Sequence, residues 1–118
     1  HLEYTYKIAS GEVQDFDIVT PEKYLEKTHD SLYSFEKFPV KSNVPHLKKD
    51  TLAPLMHTDL KTAKEKLLAV RYRYLDFFKE NPDGVLKNLV FGELKKYEWY
   101  LLERKHLNHH FEQFNLLD

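Results

Sequence analysis

Apolar residues recur at intervals of three and four in the segment that follows Asp59, which is the spacing of one buried face of an α-helix. Asp59 is a suitable N-terminal cap for this helix, and the turn-forming residues 81–84 end it. A further helix is predicted over residues 96–114. The apolar stripe of the first of these two helices consists of Leu60, Ala63, Leu67, Val70, Tyr74 and Phe77.

Two shorter helices are predicted in the first third of the chain. Residues 1–10 carry an apolar stripe that stops at Gly11, a natural helix end. This helix already opens at His1 with no capping residue before it, so we expect its beginning to lie outside the sequence. The Thr-Pro-Glu sequence of residues 20–22 is a strong helix start, in which the Thr20 hydroxyl is the predicted cap and Pro21 takes the first helical position. The second helix is predicted to reach about Phe35.

Residues 36–59 form a proline-containing connection between the second and third helices that is longer than most compact domains use. Such a length indicates a crossover over one end of a helix bundle. No segment shows a convincing alternation of apolar and polar residues, so no strand is predicted. The sequence therefore predicts an all-α fold, a four-helix bundle with a long crossover and a truncated first helix, in a single domain over residues 1–118.

Composition narrows the classes of function. Lys and Arg total 18 against 19 for Asp and Glu, and a net charge of −1 argues against a nucleic-acid-binding surface. The absence of cysteine excludes disulfides, thiolate catalysis and zinc–thiolate sites, so that any metal must be held by histidine, carboxylate or water. No apolar run approaches the roughly 20 residues that cross a bilayer, and we expect a soluble, cytoplasmic protein.

His106 and His110 stand one turn apart on the apolar face of the last predicted helix. Because helical residues advance by about 100° each, His110, Trp99 and Leu102 fall within about 40° of His106. A buried polar group without a partner costs about 1–3 kcal/mol, so two imidazoles on such a face need a reason. The pair can direct two nitrogens at one metal ion; alternatively, one is a hydrogen-bonded core histidine and the other reaches solvent.

A third ligand would strengthen the metal interpretation. His29, His46 and His57 follow no spacing rule, whereas His1 lies on the apolar face of the first predicted helix. Two other interpretations of His1 are open: it is the remnant of an affinity tag, or its α-amino group and its ring chelate a metal together.

Several motifs carry a resemblance to a known family. The chain contains F-G-E-L at residues 91–94, E-W at residues 98–99 and H-L-N-H-H-F-E-Q-F at residues 106–114, and it opens with H-L-E-Y-T-Y. These motifs resemble the DinB-like (YfiT-like) superfamily, most closely a largely uncharacterised branch that ends in H-x-x-H-H-x-x-Q-F. The likeness covers essentially the whole chain, strongly over residues 85–117 and weakly over residues 13–57.

The resemblance implies a four-helix bundle with a divalent metal ion held by His1 of the first helix and by His106 and His110 of the last. In the family the metal is most often nickel or zinc. Characterised relatives include metal-dependent hydrolases and low-molecular-weight thiol transferases, so the resemblance implies a small-molecule substrate.

The sequence departs from the branch at the start of the last helix as well as at its truncated first helix. The branch usually has a His-Pro pair before the Phe-Gly, and here those positions hold Asn88 and Leu89. Lys95 stands three residues before Glu98, where relatives have Ser or Thr, so we expect the capping box of this helix to be lost.

The first hypothesis for function is therefore a metalloenzyme in which three neutral imidazoles leave positions open for water or substrate. The metal would activate water or a thiol, or polarise a carbonyl. Glu98, Glu103 or Glu3 is a candidate base or partner of a ligand, and Trp99 with the tyrosines would line the pocket. Spacing distinguishes none of the three carboxylates.

Two alternatives remain. A di-iron carboxylate site would need two Glu-x-x-His pairs, which Glu26 with His29 and Glu103 with His106 supply. A non-catalytic module is the other alternative: eight Tyr and eight Phe residues are enough to form an exposed interface, for example in a homodimer, although most of them can instead fill the core.

Overall fold

The computed structural model describes residues 1–39, 48 and 51–117, which combine a high helix content with one small sheet. A single 3₁₀ turn, Ser31–Tyr33, continues the second helix, and the two strands form a hairpin between the third helix and the fourth. Within these residues the elements are α1 Leu2–Ala9, α2 Glu22–Asp30, α3 Leu60–Glu80, β1 Val85–Asn88, β2 Gly92–Lys95 and α4 Lys96–Gln113.

The hairpin is the main departure from the predicted all-α fold. β1 and β2 pair antiparallel, with Leu86 opposite Leu94 and Asn88 opposite Gly92. The turn is closed by the buried Asn88 side chain, whose Oδ1 accepts the backbone N–H groups of Val90 at 2.8 Å and Phe91 at 3.1 Å. The prediction of no strand was wrong here because each strand has only four residues, and β1, Val-Leu-Lys-Asn, does not alternate apolar and polar residues.

Gly92 is the first residue of β2 and has a φ of +78°, a backbone conformation that residues other than glycine rarely adopt. A Cβ at this position would lie 3.3 Å from the Leu25 side chain of α2. The glycine therefore lets the hairpin approach α2 closely, and the approach fixes the start of α4, which follows β2 directly.

The core lies where α1, α3, β2 and α4 meet. α3 contributes Val70, Tyr74 and Phe78, each less than 5% exposed. The predicted stripe of α3 is confirmed at its centre, whereas Leu60 at its start is exposed and Phe77 is only partly buried. The other buried apolar side chains are Tyr6, Ile8 and Ala9 of α1, Leu32 of the 3₁₀ turn, Leu94 of β2, and Trp99 and Leu102 of α4.

The helix starts follow their predicted caps in part. The Asp59 carboxylate accepts the backbone N–H of Thr62 at 2.8 Å, so its predicted role as the cap of α3 is confirmed. Thr20 does not cap α2, because Pro21 takes that position and the Thr20 hydroxyl donates to the carbonyl of Val90 instead. α2 also ends at Asp30 rather than near residue 35, since the chain passes into the 3₁₀ turn.

The capping box of α4 is half retained, which corrects the prediction that it is lost. The Glu98 carboxylate accepts the backbone N–H of Lys95 at 2.9 Å. The Lys95 ammonium has no acceptor with which to complete the reciprocal bond.

The outer edge of β1 is covered by a side chain. Gln14, in the segment after α1, donates from its amide to the carbonyl of Lys87 at 3.0 Å and accepts the backbone N–H of Lys87 at 2.8 Å. The amide thus makes both hydrogen bonds that a third strand would make with this residue. Further along the same segment, the N–H of Val19 donates to the carbonyl of Leu89 at 2.7 Å.

Residues 40–47, 49 and 50 of the predicted crossover, including His46, lie outside the described residues. The four-helix bundle with its long crossover therefore stays a prediction. None of the helices in the described part of the chain is long and apolar enough to span a membrane.

Candidate metal centre

The imidazole rings of His1, His106 and His110 converge at the junction of α1 and α4. His1 is the N-cap residue of α1, and the other two lie on neighbouring turns of α4. The Nε2 atom of His106 lies 2.7 Å from that of His1 and 2.9 Å from that of His110. One ligand atom of each residue lies within 4.8 Å of the others, and this is the group able to hold a metal among the described residues.

A buried carboxylate brings α1 and α4 into this position. Glu103, one turn before His106, accepts hydrogen bonds from the Tyr6 hydroxyl of α1 at 2.7 Å and from the Arg71 guanidinium of α3 at 2.8 Å. Its side chain is only 11% exposed. Burial and the neighbouring Glu103 raise the pKa of the Tyr6 hydroxyl well above its usual range, and Glu103 also raises the pKa of Arg71. The hydroxyl thus stays a donor and joins the two helices.

The contacts among the three rings suit a cation better than hydrogen bonds. A neutral imidazole nitrogen carries either one hydrogen or one lone pair, so Nε2 of His106 forms at most one good hydrogen bond to its two close neighbours. A metal ion instead accepts the lone pairs of all three nitrogens. With Zn–N bonds of about 2.0–2.1 Å, tetrahedral ligands stand about 3.3 Å apart, so the rings would need to separate by about half an ångström.

Gln113 orients one of the rings. Its amide oxygen lies 3.1 Å from Nδ1 of His110. Because that oxygen only accepts, it favours the tautomer with the hydrogen on Nδ1 and leaves the Nε2 lone pair of His110 at the convergence point. Sequence reasoning gave Gln113 no role, although its position one turn after His110 was the signal.

Phe38 is a second residue of the site that sequence reasoning missed. Its ring centroid lies 6.3 Å from that of His106 and 6.2 Å from that of His109. His109, the remaining histidine of the motif, packs on Phe38 and His110 and does not belong to the metal-capable group. No sequence spacing links residue 38 to α4, so this contact had no signal.

Access to the cluster is from the side of His1. His1 is exposed, whereas His106 and His110 are half-buried. Behind His106 lies a cavity of about 20 Å³, lined chiefly by apolar side chains that include Leu2 and Trp99. This is about the volume of one water molecule, so substrate would have to approach from the exposed side. The predicted role of Trp99 as a pocket residue therefore applies only to this small cavity, and its buried Nε1 has no hydrogen-bond partner within the described chain.

The carboxylates considered as bases are committed to other contacts. Glu103 is held by Tyr6 and Arg71, as described above. Glu3 binds His57 at 2.7 Å and Lys7 at 3.1 Å, and the hydrogen bond from His57 is the main reason why the pKa of Glu3 is lowered.

Glu98 is also committed, near the first turn of α4, about 12 Å of helix away from His106. It binds His29 at 2.9 Å and the Tyr33 hydroxyl at 2.8 Å. Burial raises the pKa of Glu98, but the backbone N–H of Lys95, the Tyr33 hydroxyl and His29 together bring it below its usual value. Glu98 therefore joins α4 to α2 and the 3₁₀ turn.

The two Glu-x-x-His pairs of the di-iron alternative do not form one cluster. His29 contacts Glu98 rather than Glu103 or His106 in the hydrogen bonds and ion pairs of the described residues, and Glu26 is exposed. The metal-capable group of the described chain contains histidines alone.

We compared the chain with family models, curated proteins and solved structures. No family model, curated protein or solved structure matches the chain.

Proposed function

We propose that the chain binds one divalent metal ion, nickel or zinc, through His1, His106 and His110. The observation that carries this proposal is the convergence of three Nε2 atoms, two of the separations being 2.7 and 2.9 Å. Imidazole nitrogens suit both metals, and the absence of cysteine removes the thiolate ligands that compete for them. Gln113 adds the outer partner that metal-bound histidines usually have.

The proposed family is the DinB-like superfamily, with its four-helix bundle and long crossover. The support is the motif of residues 106–114: it supplies two of the converging histidines and also Gln113, which contacts one of them. The opening residues supply the third histidine. Each part of the resemblance that bears on metal binding thus corresponds to a contact among described residues.

The proposed activity is that of a metal-dependent hydrolase or thiol transferase acting on a small molecule. Three protein ligands leave at least one position for water or substrate, and a bound metal would lower the pKa of a water or thiol there. The exposed His1 side gives a substrate access. Glu3, Glu98 and Glu103 are engaged elsewhere, so no carboxylate of this chain is assigned as the base.

Metal analysis of untagged protein purified without chelator tests the proposal. We expect one Ni or Zn per chain, and we expect His106→Ala and His110→Ala each to lose it. His109→Ala is the matched control, because His109 lies on the same helix, is equally half-buried and is outside the cluster. The proposal fails if the purified protein neither contains nor takes up Zn or Ni, or if His109→Ala loses metal as fully as His106→Ala.

Two further measurements separate the remaining alternatives. Extending the chain by two residues before His1 removes the free α-amino group of His1 but leaves its ring available. If metal binding survives the extension, the ring of His1 is the ligand rather than its α-amino group. His1→Ala then measures what that ring contributes. Iron at two per chain would instead favour the di-iron alternative.

A further inference from the structure

A cleft lies between α4 and residues 32–38, the segment that runs on from the 3₁₀ turn. Its volume is about 280 Å³, near the lower end of the range of roughly 300–1,000 Å³ that small-molecule sites occupy. The cleft therefore has room for a small organic molecule. We call it the lateral cleft; its wall on α4 consists of Leu101, Arg104, Lys105, Asn108, His109 and Glu112.

Two contacts hold the walls of the lateral cleft together. The Lys105 ammonium donates to the backbone carbonyls of Ser31 at 2.7 Å and Glu36 at 2.9 Å. Lys37 forms an ion pair with Glu112 at 2.9 Å. Because both contacts join the segment to α4, the lateral cleft is formed before any ligand arrives, as ligand sites usually are.

The positive charge in the lateral cleft is only partly compensated. Three cations, Lys37, Arg104 and Lys105, line it with two carboxylates, Glu36 and Glu112. Lys37 neutralises Glu112, whereas neither Arg104 nor Lys105 forms an ion pair with a carboxylate in the described part of the chain. Burial lowers the pKa of Lys105, and the Glu36 charge offsets this only in part. An anion in the cleft would supply the missing counter-charge.

The α4 wall offers hydrogen-bond donors to such an anion. Arg104 and Asn108 are both exposed and stand one turn apart, about 40° from each other around the helix. The guanidinium of Arg104 presents paired N–H groups that match two oxygens of a carboxylate or a phosphate, and the Asn108 amide adds further donors. Leu101 and the fully exposed ring of Phe35 also line the cleft and give it an apolar part.

We propose that the lateral cleft binds a small organic anion. Its carboxylate or phosphate group is held by Arg104 and Lys105, and its apolar part lies against Leu101 and Phe35. The support is the combination of a preformed space, two cations without a carboxylate partner among the described residues, and an exposed aromatic ring beside them.

The lateral cleft is separate from the candidate metal centre. None of the three candidate ligands lines it, and Arg104 lies about 160° around α4 from His106. Two rings stand between the cleft and the cluster. Phe38 lines the cleft and packs on His106, and His109 lines the cleft and packs on His110. Binding of the anion and binding of the metal are therefore separate measurements.

Titration of the isotope-labelled chain with benzoate and with phenyl phosphate, followed by the NMR shifts of its backbone amides, tests the proposal. We expect both probes to cause saturable shifts in residues 32–38 and 101–112. Arg104→Gln should raise the dissociation constants at least about 10-fold, because it removes a charged, two-pronged donor. Arg73→Gln is the matched control, since it removes the same charge from an exposed arginine on α3 that does not line the cleft.

Two further probes test the chemical class of the ligand. Benzyl alcohol has the ring without the charge and should not saturate the lateral cleft. Inorganic phosphate has the charge without the ring and should bind at least about 10-fold more weakly than phenyl phosphate. The tighter of benzoate and phenyl phosphate then identifies the head group as a carboxylate or a phosphate.

Four results would overturn the proposal. Neither anion saturates the amides of the lateral cleft, or Arg104→Gln and Arg73→Gln bind both anions equally well. Benzyl alcohol or inorganic phosphate binds as tightly as phenyl phosphate. The shifts are confined to α1 and the three-histidine cluster, which would place the anion on the metal.

Discussion

Among single residues, Gln113 decides how well one ligand of the candidate metal centre is oriented. Gln113→Leu removes the acceptor that faces Nδ1 of His110, and we expect the dissociation constant for Zn to rise by about 10- to 100-fold. Competition with a chromophoric chelator measures this change. Gln113→Glu keeps an acceptor and should stay close to the parent, so equal affinity of the leucine variant and the parent would remove Gln113 from the site.

Tyr33 and Glu98 form a pair whose titration can be followed by absorbance. The hydrogen bond to Glu98, with burial and the carboxylate charge, raises the pKa of Tyr33 from 10.0 to about 12. The unfolded chain therefore loses this proton near pH 10, whereas the folded chain holds it to about pH 12. Because the unfolded state binds fewer protons in this window, the stability of the fold decreases as the pH rises from 10 to 12.

Tyr33→Phe should abolish the phenolate transition near pH 12, and Glu98→Gln should move it back toward 10. Alkaline absorbance titration of the folded chain shows both effects. If Tyr33→Phe instead removes a transition near the ordinary value of 10, the contact with Glu98 is not maintained in solution.

At this scale the sequence is informative where two candidate ligands share one helix. The spacing of His106 and His110 was enough to place both nitrogens at one point, because helical geometry is local. The place of His1 came almost wholly through the resemblance, since its position differs from that of His106 by 105 and no local rule spans that distance. The contacts of Glu103, Glu98 and Glu3 are equally non-local, which is why three carboxylates remained equivalent candidates.

Among the elements, the hairpin between α3 and α4 depends on one buried amide. Asn88→Ala would leave the N–H groups of Val90 and Phe91 without their acceptor, and we expect the free energy of unfolding to fall by about 1–3 kcal/mol. Asn88→Asp keeps the acceptor and should cost less. Urea unfolding monitored by Trp99 fluorescence gives both values, and an alanine variant as stable as the parent would show that the turn holds without Asn88.

The long helices were predicted closely because propensity, capping and periodicity agree in them. α3 starts directly after Asp59, and α4 starts at Lys96, as expected. The hairpin was missed because its two signals are a side chain that bonds its own turn and a glycine at positive φ that lies close to the Leu25 side chain. The predicted cap at Thr20 was wrong for a related reason. A hydroxyl that could accept a hydrogen bond as a helix cap can equally donate one to a distant carbonyl, here that of Val90.

Over the whole molecule, the three-histidine cluster ties the first residues of the chain to its last helix. A ligand that binds only the folded state at 100 times its dissociation constant adds about 2.7 kcal/mol of stability. For a chain of this size we expect the melting temperature to rise by about 10 °C on addition of Zn at that concentration. His106→Ala should show no rise, and His109→Ala should match the parent. An equal rise in both variants would place the metal elsewhere.

The predicted all-α class holds for most of the described chain and fails at the hairpin, and the bundle arrangement is still a prediction. Helix class follows from local pattern, whereas the packing of α1 on α3 and the position of α2 depend on contacts between distant residues. His29 with Glu98 and His57 with Glu3 are such contacts, and each joins segments for which the sequence shows no common pattern.

Gln14 has a consequence for the behaviour of this protein at high concentration. An uncovered strand edge is a template onto which another chain can add, and this is how sheets grow into aggregates. By bonding both backbone groups of Lys87, the Gln14 amide occupies that template within its own chain. Its loss would open β1 to strand addition, so Gln14 protects the chain against aggregation, and it is not one of the candidate metal ligands.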